Sequence, residues 1–156
     1  MKPVPRKCGK CGQGAIAPTV LDYPAEFDHD GRPYQFIIPA LRVLRCEKCG
    51  RIVLDDEANE RITEEFRQVA QLLTPEEIRA GRTKIGLNQQ QLAACLQVSN
   101  ATVSRWESGG QIQQRAMDLL MRTFFDVAAA RQYLAKVAGV ELPSTATPLR
   151  TAAPTG

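Results

Sequence analysis

The stretch QQQLAACLQVSNATVSRWESG, residues 89–109, predicts two short helices joined by a tight turn. Asn88 stands just before the first helix, and Gln91, three residues later, completes the pattern of a capping box. Leu92, Ala93 and Leu96 recur at helical spacing and therefore share one face. We expect the first helix to pack inward along that face.

The second helix of this stretch combines an apolar face with a hydrogen-bonding face. Ser99 is a suitable N-cap, and Val103 and Trp106 are the inward positions. The side chains between them can all form hydrogen bonds, and only one is charged: Asn100, Thr102, Ser104 and Arg105. Such a helix suits reading of the DNA major groove. The alternative is a helical pair used only for packing or dimerisation, which needs no polar face of this kind.

Composition and charge limit the possible classes of protein. The chain has 156 residues, of which 44% are hydrophobic and 24% charged, as in soluble globular proteins. No apolar run approaches the roughly 20 residues of a membrane span, and MKPVPRKCGKCG lacks the apolar core of a signal peptide. We therefore expect a cytoplasmic protein with no membrane partner. The net charge of +3 is small for a nucleic-acid-binding protein and does not by itself indicate DNA.

Four of the five cysteines form two CxxC pairs, which are Cys8/Cys11 and Cys46/Cys49. Two such pairs can supply the four thiolates of a tetrahedral zinc site. A closed shell leaves no position for water, so we predict one structural zinc per chain. Redox chemistry of the dithiols and an iron site are the alternatives.

Short strands and turns are expected between the two CxxC pairs. Segments 15–21, 34–38 and 41–45 predict strands, with Pro18 weakening the first and Pro39 separating the other two. Residues 28–33 predict a loop or hairpin turn, and residues 52–54 a short strand. Residues 55–73 then show the narrow apolar stripe of an amphipathic linker helix.

Helical patterns fill the second half of the chain. Thr74-Pro75-Glu76-Glu77 is a strong helix start, and Gly86 ends that helix. A helix at about 113–125 is predicted to bury Ala116, Leu119, Leu120 and Phe124, and a last one through Ala138 to bury Val127, Leu134 and Val137.

The predicted fold class is α+β with two domains. A small zinc-bound, β-rich domain with its linker helix takes residues 1–73, and an all-α, five-helix, repressor-like helix-turn-helix domain takes 74–139. Residues 140–156 predict a disordered tail.

Catalytic patterns are missing from the sequence, so we predict that the chain is not an enzyme. It contains no Ser/His/Asp set, no paired carboxylates and no phosphate-cradling glycine loop. The single histidine, His29, is expected to be a solvated loop residue. Cys95 is expected to fill space at the edge of the core.

The segment LNQQQLAACLQVSNATVSRWESG resembles the Xre/phage-repressor helix-turn-helix family. The resemblance implies that bases are contacted by Asn100, Ala101, Thr102 and Arg105, and DNA phosphates by Gln89 and Ser108. It also implies a buried salt bridge between Arg82 and Glu107. Gln97 departs from the family, which usually has glycine in the turn.

Together, CxxC…CxxC and this helical segment resemble the MqsA/YgiT family of zinc-binding antitoxins over about residues 7–135. The resemblance implies a homodimeric repressor that binds palindromic double-stranded DNA in its own promoter and neutralises a small RNase toxin through the zinc domain. A zinc-containing helix-turn-helix regulator without a toxin is the alternative. We expect the last helix to form the dimer interface, with Phe124, Phe125, Leu134 and Val137.

Overall fold

The computed structural model describes residues 7–144. Backbone contacts divide the chain into two compact units, Met1–Thr74 and Pro75–Gly156, called here unit 1 and unit 2. The predicted tail at 140–156 lies outside the described residues from position 145 onward. No helix among residues 7–144 has both the length and the apolar character needed to cross a membrane.

A long antiparallel hairpin forms the frame of unit 1. Strands β1 (Ile16–His29) and β2 (Arg32–Cys46) are joined by the two residues Asp30 and Gly31. Both have positive φ, 52° and 68°, as the tightest hairpin turns require, and an Asp-Gly pair suits that conformation. Strand β3 (Ile52–Val53) pairs with the end of β2, so that the strand order is β1-β2-β3.

A bulge carries the second strand past Pro39, where the sequence predicted a break. Pro39 and Ala40 together stand opposite the single residue Asp22, so the register shifts there. Ala40 has a φ of 50°, and its N–H donates to Asp22 Oδ1 at 2.9 Å. The bulge therefore accommodates a residue that cannot donate to the ladder, and β2 continues to Cys46.

One face of the hairpin packs against α1 (Asp56–Val69), which begins at the N-cap Asp55. The buried cluster between them contains Ala25, Ile38, Leu41, Val43, Ala58 and Ile62. Near the hairpin turn, Phe66 is fully buried and stacks on Phe27 with ring centroids 4.2 Å apart.

His29 also packs against Phe66, with ring centroids 5.3 Å apart, and its side chain is only 12% exposed. The prediction of a solvated loop histidine is therefore wrong. The turn contains two residues rather than six, so His29 belongs to β1, where its side chain points toward α1.

Unit 2 contains five helices in its described part: α2 (Pro75–Ile85), α3 (Gln89–Leu96), α4 (Asn100–Ser108), α5 (Arg115–Asp126) and α6 (Ala128–Ala138). Its largest buried side chains include Ile78, Leu92, Val103, Met121 and Phe124. The capping box of Asn88 and Gln91 is confirmed, as are the Ser99 cap and the inward positions of α3 and α4.

The predicted core of the last two helices needs correction. Leu119 is 66% exposed and Val137 62% exposed, and Ala116 and Val127 are also exposed. Apolar residues occur around much of α5, so its spacing fits more than one inward face. The structure buries the face of Met121 and Phe124 instead, while Leu120 and Leu134 are half-buried.

The fold class also needs correction. We expected two domains, with a five-helix domain following a zinc-bound β-rich one, but a chain of 156 residues is small for that division. Residues 7–144 form a single three-stranded antiparallel sheet and six helices, an α+β fold. The four paired cysteines lie in or beside its strands.

Candidate functional site

Two similar turns present the four paired cysteines. In the first, the Gly12 N–H donates to the Cys8 carbonyl at 2.8 Å, and in the second the Gly50 N–H donates to the Cys46 carbonyl at 3.0 Å. Gly12 and Gly50 both have left-handed φ, 65° and 71°. Each CxxC pair is thus followed by a glycine that closes its turn, which directs both thiols of the pair to the same side.

The four thiols meet in one cluster. The Sγ atoms of Cys8, Cys11, Cys46 and Cys49 all lie within 4.8 Å of one another. Sγ–Sγ separations of 3.6 Å for Cys8–Cys49 and 3.7 Å for Cys11–Cys46 join the two turns. Metal–sulfur bonds of about 2.3 Å in a tetrahedron require S–S edges of about 3.8 Å. The cluster therefore has the dimensions of a four-sulfur metal site.

The cluster favours the thiolate at two of its four positions, Cys8 and Cys11. Backbone N–H groups of Cys11 and Lys10 donate toward Cys8 Sγ and lower the pKa of Cys8 to about 6. The Gln13 N–H similarly lowers the pKa of Cys11. For Cys49 the Arg51 N–H lowers the pKa, but desolvation and the hydrogen bonds to the other three thiols outweigh it and raise the value to about 11. A cation at the centre would favour the thiolate at all four positions.

Gly14 gives the cluster the space it occupies. A Cβ at this position would overlap the Sγ atom of Cys46 and would lie 2.9 Å from the Lys48 Cβ. Behind the thiols, Ile16 and Leu44 form a small buried cluster with Cys8 and Cys46. The sequence analysis missed Gly14, although its position three residues after Cys11 is a usable signal.

The α4 helix separates buried from exposed residues as its sequence predicted. Val103 and Trp106 are buried, and Asn100, Ala101 and Arg105 are exposed. Thr102 is partly exposed, and its hydroxyl lies 2.8 Å from that of Ser99. Among residues 7–144 the Arg105 guanidinium forms no ion pair or hydrogen bond, so its charge faces solvent.

A buried carboxylate ties three helices of unit 2 together. Glu107 of α4 accepts two hydrogen bonds from Arg82 of α2, at 2.6 and 2.8 Å, which confirms the predicted salt bridge. Glu107 Oε2 also accepts from Gln89 Nε2 of α3 at 2.9 Å. Desolvation raises the pKa of Glu107, but the bonds from Arg82 and Gln89 and the nearby positive charges outweigh it, and the pKa is lowered.

The two predicted phosphate-side residues have protein partners. Gln89, the first residue of α3, uses one N–H of its amide on Glu107 and retains a second. The Ser108 hydroxyl donates to the Arg105 carbonyl at 3.2 Å. Between α3 and α4, Gln97 has a φ of 58°, so the turn adopts the left-handed conformation that glycine usually provides.

The family model described as "Antitoxin component of bacterial toxin-antitoxin system, MqsA" matches residues 6–126. The chain belongs to the MqsA antitoxin family. The matched segment extends from just before Cys8 to the end of α5. No curated protein matches the chain with significance.

For this MqsA-family chain, the four-cysteine cluster can hold a metal ion, and its donor set and dimensions suit zinc. The structure brings all four predicted ligands together. It places Asn100, Ala101, Thr102, Arg105 and Ser108 on α4, and Gln89 at the start of α3.

Proposed function

We propose that this MqsA-family antitoxin is a sequence-specific DNA-binding repressor with one structural zinc per chain. As a homodimer it binds a palindromic operator of its own operon through α4, and it neutralises a small toxin through unit 1. The membership of a toxin–antitoxin family supports the toxin partner. The DNA-binding role rests on one observation: α4 has an exposed hydrogen-bonding face, while its other face is buried through Val103 and Trp106.

On this proposal, Asn100, Ala101, Thr102 and Arg105 contact base edges. Arg105 contributes most to sequence-specific binding, because its guanidinium is unpaired among the described residues and can form a bidentate hydrogen bond to guanine. Asn100 stands in the first turn of α4, and the Ala101 methyl can contact a thymine methyl.

DNA phosphates are held beside this face. The first backbone N–H groups of α3 point out of its N-terminus, and the second amide N–H of Gln89 is available there. Ser108 contributes from the end of α4 when its hydroxyl turns from the Arg105 carbonyl to a phosphate oxygen. These contacts set the position of the protein, while the α4 contacts select the sequence.

Zinc, when bound, neutralises two of the four thiolate charges and holds the two cysteine turns together. The protein supplies all four ligands, so the site has no open position for a substrate. Its role is therefore to stabilise the metal end of the hairpin.

The exposed apolar side chains of the last two helices support a homodimer. Leu119 of α5 and Tyr133 and Val137 of α6 are each more than 60% exposed, and Tyr133 and Val137 are one helical turn apart. A second copy can cover these residues, and two α4 helices related by a dyad recognise a palindrome. Phe124, which we expected at this interface, is buried within unit 2.

Arg105→Ala tests the DNA-binding role. With the promoter DNA of its own operon, the substitution should weaken specific binding by about 1–3 kcal/mol. Binding to random DNA of the same length should change much less. Arg61→Ala is the matched control, because Arg61 is an exposed arginine of α1 in unit 1.

Fluorescence anisotropy at one fixed salt concentration measures both DNAs for both variants. Equal losses on specific and random DNA would make Arg105 a phosphate contact. Unchanged binding of Arg105→Ala to the promoter would show that Arg105 contacts no base.

A further inference from the structure

The face of the β1–β2 hairpin turned away from α1 is called here the outer face. Side chains alternate between the two faces of a strand, so Val20, Pro24 and Ile37 share this face. At the metal end the face is covered, because Ile16 and Leu44 are buried with the cysteines. Beyond that point Val20 is 63% exposed and Ile37 65% exposed.

The exposed apolar residues form a broken stripe, because the exposed Asp22 lies between Val20 and Pro24 on the same face. Pro24 stands directly opposite Ile37 in the register, and Val20 lies four residues away on the same strand, about 13 Å along it. Single exposed apolar residues are ordinary, but a stripe on a rigid sheet marks an interaction surface.

Docking by an added strand at the free edge is disfavoured. Among residues 7–144, strand β1 pairs with β2 alone, and it contains Pro18 and Pro24. Prolines on an edge strand face their missing N–H outward, so an incoming strand finds two donors absent. A partner is therefore more readily held by the side chains of the outer face.

The charge of the outer face indicates which partner it can bind: DNA, a second copy of the chain or the toxin. Asp22, Glu26 and Asp28 alternate along β1 on the outer face, and all are exposed. Arg42, on the same face, lies within 4 Å of the carboxylates of Asp55 and Glu57, which offset its charge. The field over the stripe is thus negative, which repels DNA phosphates and opposes contact with the same acids of a second copy.

We propose that the outer face is the docking surface for the toxin of the pair, and that the toxin presents an apolar patch bordered by lysine or arginine. Val20 and Ile37 supply the apolar contact, and Glu26 and Asp28 supply the charge contact. This inference rests on the proposed function, since it names the surface through which unit 1 binds the toxin.

The test uses the full-length chain and the small protein encoded beside it in the same operon, purified separately and titrated by calorimetry. Val20→Glu and Ile37→Glu should each raise the dissociation constant about tenfold or more, the cost typical of an anchor residue. Val69→Glu is the matched control, because Val69 lies at the end of α1 and is 44% exposed. It should change the constant less than about threefold.

Removing the charges of Glu26 and Asp28 gives a second, independent measurement. Glu26→Gln combined with Asp28→Asn should slow association, and the difference from the wild-type chain should shrink in high salt. Promoter binding and metal content should be unchanged in every variant. A variant that loses promoter binding or metal has lost its fold. The Glu26→Gln/Asp28→Asn variant changes only exposed side chains, so in that case its association rate tests the proposal.

The outcomes separate this inference from the proposed function. If the wild-type chain does not bind the neighbouring protein, the toxin part of the proposed function fails. If the wild-type chain binds it and Val20→Glu and Ile37→Glu bind equally well, only the outer face is wrong. If these variants convert a dimer to a monomer while toxin binding persists, the outer face is a contact between copies and the inference is overturned.

Discussion

The cysteine end of unit 1 and the helices of unit 2 are held together by different kinds of interaction. At the cysteine end, the buried cluster within residues 7–144 is small, with Ile16, Leu44 and two cysteines, and the four adjacent thiols could hold a metal ion. In unit 2, the helices bury large apolar side chains, and helix caps and the Glu107 ion pair add to this packing. The rest of unit 1 has a core of its own between the hairpin and α1, so on the proposed function only its cysteine end depends on a ligand, whereas unit 2 depends on packing.

Metal removal should have the largest effect, and on unit 1 alone. A strong chelator should abolish hydrogen-exchange protection at the cysteine turns and at the adjoining ends of β1 and β2, because four close thiolates without a cation repel one another. Protection of α2 to α5 should change little, since no ligand lies there. Exchange measured by mass spectrometry distinguishes the two units.

Cys46→Ser should reproduce the effect of the chelator, and Cys95→Ser is its control. Cys95 is buried in unit 2, where burial raises the pKa of its thiol, and it is remote from the cluster in sequence. Full protection of the cysteine turns and the adjoining strand ends in metal-free protein would contradict the dependence of the cysteine end on its ligand.

Glu107→Ala is expected to have the next largest effect, and on unit 2. It leaves the largely buried Arg82 without its carboxylate and should lower the free energy of unfolding by about 3 kcal/mol. Denaturant titration with metal present measures this loss. Glu57→Ala is the control, because Glu57 lies on the surface of unit 1 and its ion pair with Arg42 is exposed.

The same residue sets a pH dependence. The pKa of Glu107 is lowered from its ordinary 4.5 in the folded protein, so its stabilising contribution is complete above that value. It is lost as the pH falls through the lowered pKa, because the unfolded state then binds the proton more strongly. In Glu107→Ala this part of the acid sensitivity should disappear. If the free energy of unfolding fell by the same amount between pH 6 and pH 3 in the wild-type chain and in Glu107→Ala, this assignment would be contradicted.

Gly14→Ala should have the smallest of these effects and is confined to the metal centre. The added methyl group overlaps Cys46 Sγ, so one ligand must shift, and metal affinity should fall about tenfold. Gly9→Ala is a matched control in the same segment, because a Cβ there has no neighbour within 4 Å. Competition with a chromogenic chelator measures both, and equal affinities would show that the site tolerates the methyl group.

Sequence patterns that span a few residues predicted much of this structure. The predictions that failed concern features that depend on residues far apart in the sequence. The Asn88 capping box and the Ser99 cap depend on residues three positions apart, so they are visible in the sequence. The course of β2 past Pro39 depends on Asp22, which lies seventeen positions earlier and accepts the freed N–H across the sheet. No local pattern around Pro39 contains that bond.

The sequence also did not predict which of two similar faces of a strand or helix is buried. His29 was expected in a loop because the surrounding residues are polar, but its place against Phe66 follows from the two-residue turn. Leu119 and Val137 were expected inside because their spacing is helical. Which apolar face of a helix is buried depends on its neighbours, and α5 offers more than one. At the candidate metal centre the CxxC spacing sufficed to select the four thiols, but the space left by Gly14 appears only in three dimensions.

The carboxylate of Glu107 also affects how much conformational entropy unit 2 loses when it binds a ligand. Because it holds Arg82 of α2 and Gln89 of α3 from a position on α4, the three helices have their mutual orientation before any ligand arrives. A surface ordered in advance loses little conformational entropy on contact, so more of each new bond appears as affinity. On the proposed DNA-binding role, such preorganisation would offset the weak general attraction to a polyanion of a chain with a net charge of only +3.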